Sequence, residues 1–196
     1  MITPEVNKYN SLIFLDLDGV LNCELFYTER YKHLTRYDNI PFYRTVKRHL
    51  LKLVKSNEIS KLDYYDGEMC PDRMKLLNNL CIETNSAVVL SASMRSHYTP
   101  EELQVIFNHC GATFTIIDKT PYTGYARGTE IHQWLYDHTK EWFGVDYYDF
   151  YKFLIFDDDS DMHLNQQYNF FQCDNYTGLI PTIVYKAKRF LTHKTF

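Results

Sequence analysis

The sequence lacks any CxxC pair: its five cysteines (Cys23, Cys70, Cys81, Cys110, Cys173) are odd in number and widely spaced. That pattern suits neither a zinc site nor a disulfide framework, and it fits a reducing compartment. No apolar run approaches the roughly 20 residues that span a bilayer, and Met1 to Asn10 carries no apolar segment of a signal peptide. These absences predict a soluble, cytoplasmic protein with no membrane partner. Internal repeats and low-complexity tracts are missing too. So is a basic excess: 25 acids oppose 21 Lys and Arg, a net charge of −4, which argues on its face against a nucleic-acid binder. What is present is globular. Over 196 residues, 45% are hydrophobic and 23% charged, enough for one domain that needs no metal or disulfide staple. Aromatics reach 16%, with 17 tyrosines, the one compositional oddity.

Short apolar runs alternate with helix-period stretches. Ser11 to Asp16, Ser86 to Ser91, Thr113 to Asp118 and Lys152 to Asp157 are continuous Val/Ile/Leu/Phe runs suited to a parallel sheet covered on both faces. Pro71 to Glu83 opens with Pro in its first turn and sets Met74, Leu77, Leu80 and Cys81 along one face. Thr99 to His109 starts TPEE, with Thr99 as N-cap and acids in the first turn. Arg127 to His138 places Ile131, Trp134 and Leu135 at helical spacing. This alternation predicts a single α/β domain over 1–196, a doubly wound parallel sheet with right-handed crossovers. About fifty residues separate the first strand from the Pro71 helix, too many for a connection within the sheet. Residues 23–67 are therefore expected to form a small, largely helical cap inserted after the first strand. Its Phe42 to Lys55 stretch reads as an amphipathic helix.

Ligands of open α/β sheets bind beyond the carboxyl ends of the strands. There the first strand ends in Asp16-Leu17-Asp18-Gly19, the second in Ser91 and the fourth in Asp157-Asp158-Asp159-Ser160-Asp161. A lone DxDG is most often a strand ending in a turn, and a lone DDDSD is a solvated acidic loop or a helix N-terminus. Together, six acids so clustered would repel one another unless a cation is shared. Carboxylate oxygens from separate strand ends suit Mg²⁺, which screens them from each other and from an incoming phosphate. Asp16 can then attack phosphorus and form an aspartyl-phosphate, while Asp18 protonates the leaving oxygen and later activates water. Gly19 permits the tight turn between them. Ser91 can hydrogen-bond a phosphoryl oxygen, and Arg127 can neutralise charge in the transition state.

FLDLDGVLN, VVLSASMR, Arg127 and FLIFDDDSD resemble motifs I to IV of the haloacid dehalogenase superfamily, mostly Mg²⁺-dependent phosphatases. The resemblance is closer to the haloacid dehalogenase domains of Swiss Army Knife RNA repair proteins. It includes CPDRMKLLNNLCIETNSAVVLSASMR, the TPEEL helix, TP followed by RGTEIHQWL, and FLIFDDDSDM, and it covers roughly residues 11–179. It implies that Asp16 is nucleophile and metal ligand, and that Asp18 is acid/base, giving the metal its backbone carbonyl. It further implies that Ser91 binds the phosphoryl group. Arg127 stands where the superfamily more often has Lys, with Lys119 as a rival. Asp157 aligns best as the direct metal ligand if Asp161 is the outer acid, with Asp158 a close second. Arg95 has no fixed role in the superfamily and is read as a contact to substrate phosphate.

Substrate choice falls to the inserted segment. From Tyr27 to Lys61, nine Lys and Arg oppose three acids, a local +6, with Tyr27, Tyr31, Tyr37 and Tyr43 interleaved. Basic groups with aromatic faces between them suit single-stranded nucleic acid. The expected substrate is a nucleic-acid end carrying a 3′-phosphate, in RNA or DNA repair. The alternatives are a nucleotide or other small phosphoester, or a phosphate-binding or partner-docking module without catalysis. Setting aside the six acids of the metal-site motifs leaves 19 acids against 21 bases, so the acidic total does not argue against a polyanion.

Overall fold

The computed structural model describes residues 8–31, 65, 68–150 and 152–193. Five strands form one parallel sheet: β1 (Ser11–Leu15), β2 (Ser86–Leu90), β3 (Ile116–Lys119), β4 (Phe153–Asp157) and β5 (Phe170–Gln172). Their order is β3-β2-β1-β4-β5. The chain winds outward from β1 through β2 to β3, then returns to β4 on the other side of β1. That reversal opens a crevice at the carboxyl ends of β1 and β4. The described helices are α1 (Glu24–Tyr31), α2 (Pro71–Thr84), α3 (Pro100–His109), α4 (Arg127–Phe143) and α5 (Pro181–His193).

Both faces of the sheet are covered, which is why its central strands lack polar alternation. Ile13, Leu15, Val88, Leu90, Leu154 and Phe156 pack with Met74, Leu77 and Leu80 of α2, Leu103, Ile106 and Phe107 of α3, and Ala187 of α5. The other pleat, Leu12, Phe14, Val89, Phe153 and Ile155, packs on Ile131, Trp134 and Leu135 of α4. The Trp134 ring meets Phe14 edge-on at 5.4 Å, and its indole N–H donates to Asp118 (2.7 Å). Thr99 caps α3 in a reciprocal box with Glu102. None of the five cysteines is in a disulfide, and all but Cys110 are buried.

Several boundaries differ from the sequence pattern. β3 starts at Ile116 rather than Thr113, because the Asn78 side chain binds the Thr113 amide (2.8 Å) and that of Gln104 binds the Ile116 amide (2.6 Å). α4 runs on to Phe143 and stops where Gly144 takes a left-handed conformation (φ 69°). β5 and α5 go beyond the predicted elements. His132 and His138, both on α4, are half-buried: His132 meets the Tyr147 hydroxyl (2.9 Å), and His138 stacks on Trp134.

α1 begins at Glu24, right after Cys23, its Glu24 and Leu25 amides tied to Asn175 and Tyr176 carbonyls (3.1 and 3.0 Å). Most of the expected cap, including the Phe42 to Lys55 helix and eight of the nine basic residues, lies outside the described residues. Arg30, on α1, is the ninth. Among the described residues no helix is long and apolar enough to cross a membrane.

Candidate active site

Parallel pairing carries the key residues to one edge. The Asp16 amide donates to Phe156 (2.9 Å), extending the β1–β4 ladder by one residue, and the Ser91 amide donates to Leu15 (2.9 Å). Asp16, Ser91 and Asp157 are thus held side by side by main-chain bonds rather than by loop conformation. After Asp16 the chain folds into a tight turn in which the Leu21 and Asn22 amides both donate to the Leu17 carbonyl (2.9 Å each). Gly19 occupies the left-handed region (φ 79°), and a Cβ there would lie 2.6 Å from Asp158 Oδ1 and closer still to its carboxyl carbon. Glycine serves both the turn and the seat of the Asp158 carboxylate.

One carboxylate oxygen from each of Asp16, Asp157 and Asp158 lies within 4.8 Å of the others. Asp16 and Asp157 are buried and Asp158 is half-buried, so solvent screens their repulsion poorly. Arg127, the first residue of α4, spans two of them: Nη2 meets Asp16 Oδ1 at 3.1 Å and Nε meets Asp157 Oδ2 at 3.2 Å. A single guanidinium does not offset three carboxylates. Burial first and Asp157 second push the Asp16 carboxyl well above the usual range, against the pull of Arg127. Burial raises Asp157 to about 6, with Arg127 again opposing, and burial raises Asp158 as well. The Cys173 thiol, whose amide binds the Asp157 carbonyl (2.9 Å), is pushed far up by burial and by these carboxylates. It is no nucleophile at neutral pH.

The donor set fits a hard divalent cation. All three groups are carboxylates, and opposite ligands in an octahedral Mg²⁺ shell stand roughly 4 Å apart, comparable with the spacing here. Three buried polar atoms point the same way. Ser91 Oγ and Arg127 Nη1 make no hydrogen bond, a costly state unless a ligand meets them, and Asp157 Oδ2 has only its ion pair with Arg127.

Of the predicted site residues, Asp16, Ser91, Arg127, Asp157 and Asp158 come together. Asp18 is exposed, and its carboxylate is not one of the clustered three, although it lies near enough to help raise Asp16. Lys119, the rival cation, is turned elsewhere: Nζ donates to the Arg95 and Tyr98 carbonyls (2.8 and 2.6 Å). Arg95 departs from the expected contact to substrate phosphate. Its side chain is 2% exposed and is spent on the Ser91, Thr120 and Pro121 carbonyls and on a short ion pair with Glu130. Glu130 in turn accepts from the Thr123 amide (2.8 Å) and hydroxyl (3.2 Å). Arg95 and Glu130 brace the Ser91 turn against the loop before α4. Glu130 is the residue that local spacing misses, because an acid in the first turn of a helix reads as a solvated complement to the dipole.

The raised carboxyls have a measurable consequence. Asp157 keeps a proton in the folded state up to about 6 that the unfolded chain releases near 3.8, so between those values its contribution to stability falls as pH rises. In chelator, wild type should lose melting temperature relative to Asp157→Asn from about pH 4 to pH 6, and saturating Mg²⁺ should cancel that loss. A difference that stays flat across the range would contradict the charge crowding described here.

Against known proteins, the family model described as the HAD domain in Swiss Army Knife RNA repair proteins matches residues 12–184. No curated protein and no solved structure matches the chain.

Proposed function

The chain belongs to the haloacid dehalogenase (HAD) domain family of Swiss Army Knife RNA repair proteins, and from that premise we propose that it is a Mg²⁺-dependent phosphatase acting through an aspartyl-phosphate. One observation carries the reading: Asp16 is buried beside Asp157 and Asp158, bridged by Arg127, with the unpartnered Ser91 hydroxyl on the adjoining strand.

Asp16, Asp157 and Asp158, with the Asp18 carbonyl, would hold Mg²⁺. Bound there, the ion neutralises the carboxylates and the phosphoryl oxygens, so that an anion can be attacked by an anion. The Ser91 hydroxyl and the free Arg127 Nη1 receive phosphoryl oxygens. A carboxylate oxygen of Asp16 bonds to phosphorus as the bond to the leaving oxygen breaks, and Asp18, exposed at the mouth, gives that oxygen its proton. In the second step Asp18 takes a proton from water, whose oxygen bonds to phosphorus as the bond to Asp16 breaks. Inorganic phosphate leaves, and both aspartates return to their starting states.

The substrate on this reading is the 3′-phosphate end of a single-stranded nucleic acid. Support comes from the family's association with RNA repair, the +6 stretch between Tyr27 and Lys61, and Tyr122 and Tyr125, exposed on the loop leading to Arg127. A 3′-phosphorylated oligonucleotide should be hydrolysed at least about tenfold more efficiently than a mononucleotide, with turnover falling steeply as salt rises. Changing Lys47, Arg48 and Lys52 to Ala should erase most of that preference and flatten the salt dependence. Equal efficiency on both substrates would identify a small-phosphoester phosphatase instead.

A further inference from the structure

The acidic loop after β4 is tied to α4 as well as to the site. α4 starts at Arg127 without a cap of its own, since Ala126 in the capping position has no side-chain acceptor. Asp161, 34 residues away in sequence, supplies one: Oδ2 accepts from the Arg127 amide (2.8 Å) and its carbonyl from the Gly128 amide (3.3 Å). The contact is reinforced by buried Gln166, which donates to the Gly128 carbonyl and accepts from the His163 amide (2.9 Å each). Thr129 Oγ1 meets His163 Nε2 at 3.0 Å. The approach is close enough that a Cβ on Gly128 would lie 2.6 Å from the His163 nitrogen and 2.9 Å from Met162 Cα.

The loop that presents Asp157 and Asp158 and the turn that carries Arg127 are therefore one clamped unit. We propose that Asp161 is a positioning residue. By capping α4 it fixes the main chain of Arg127, so that the guanidinium spans Asp16 and Asp157, and it is not a metal ligand. Its carboxylate lies outside the clustered three and is committed to the Arg127 amide. The role matters because Arg is long: a shift at its backbone is carried to the guanidinium, and misplacement of a charged group by about 1 Å can cost two orders of magnitude in rate. The inference rests on the reading of Arg127 as the cation of a phosphatase.

Asp161→Ala and Asp161→Asn separate the possibilities, because Asn keeps an acceptor and caps as well as Asp but has no charge for a metal. Each would be assayed with p-nitrophenyl phosphate across a Mg²⁺ titration, with amide hydrogen exchange followed at Arg127 and Gly128. The Ala variant should lose about tenfold or more in kcat, with its Mg²⁺ midpoint unchanged and both amides exchanging faster. The Asn variant should recover most of the rate and the protection. Wild-type kcat in the Ala variant would overturn the proposal, as would an Asn variant equally impaired with a raised Mg²⁺ requirement. Exchange distinguishes the two ways of failing. Unprotected Arg127 and Gly128 amides in the wild type remove the cap itself, whatever the activity. Protected amides in a protein that hydrolyses no phosphoester remove the phosphatase reading, and the positioning role with it.

Discussion

Asp16→Asn is expected to abolish phosphate release, by a factor on the order of 10⁴ or more, while the cation-free protein melts higher than wild type. The two effects have one cause. Asp16 sits where burial and Asp157 disfavour its charge, so an ionisable carboxyl there costs the fold stability, and an amide of the same shape relieves that cost. The Asn oxygen still accepts from Arg127, which holds Asp16 at 3.1 Å, so the site keeps its geometry. On the proposed reading the variant lacks the nucleophile and one of the three carboxylates that would hold the cation, so added Mg²⁺ should raise its melting temperature less than that of wild type. Steady-state assays and melting curves with and without Mg²⁺ check all three. A variant that is inactive but also less stable without metal would point to a structural role for Asp16.

Arg127→Met has the opposite sign on stability. Its guanidinium meets Asp16 and Asp157 at 3.1 and 3.2 Å, and removing it leaves two buried carboxylates uncompensated. Breaking a buried pair in this way costs roughly 3–5 kcal/mol, so the cation-free variant should melt well below wild type, and Mg²⁺ should recover part of the loss. Its kcat should fall about 10²- to 10³-fold, the scale of losing one donor to a developing oxyanion. Combining it with Asp16→Asn should give a protein more stable than Arg127→Met alone, since one of the stranded charges has gone. Strictly additive changes would show that Asp16 and Arg127 do not interact as the distances imply.

How far the site was legible follows from what holds each part. Asp16, Ser91 and Asp157 stand at the ends of three apolar runs, and parallel register aligns such ends, so strand pattern alone places them together. Gly19 was legible as a turn residue, though its second task, making room for Asp158, appears only in three dimensions. The acids after β4 look alike in sequence yet part company in the fold: Asp157 is buried, Asp158 lies over Gly19, and Asp161 caps a helix. No local spacing separates these destinies, because each depends on an element remote in the chain. Arg95 shows the same limit, since its partner Glu130 lies 35 residues on. β5 is a half-exposed three-residue strand without an apolar run. α5, by contrast, carried a readable signal: Pro181 in its first turn and Ile183, Val184, Ala187, Phe190 and Leu191 at helical spacing.

The central claim is that Asp16 takes a phosphoryl group from a phosphomonoester. The most direct measurement is acid quenching of the Mg²⁺-loaded protein during turnover of a 3′-phosphorylated oligonucleotide, followed by mass spectrometry of its peptides. One phosphoryl group should appear on the Asp16 peptide during turnover and be absent from Asp16→Asn. Phosphate released at full rate with no such adduct, or with the adduct on another residue, would contradict the account.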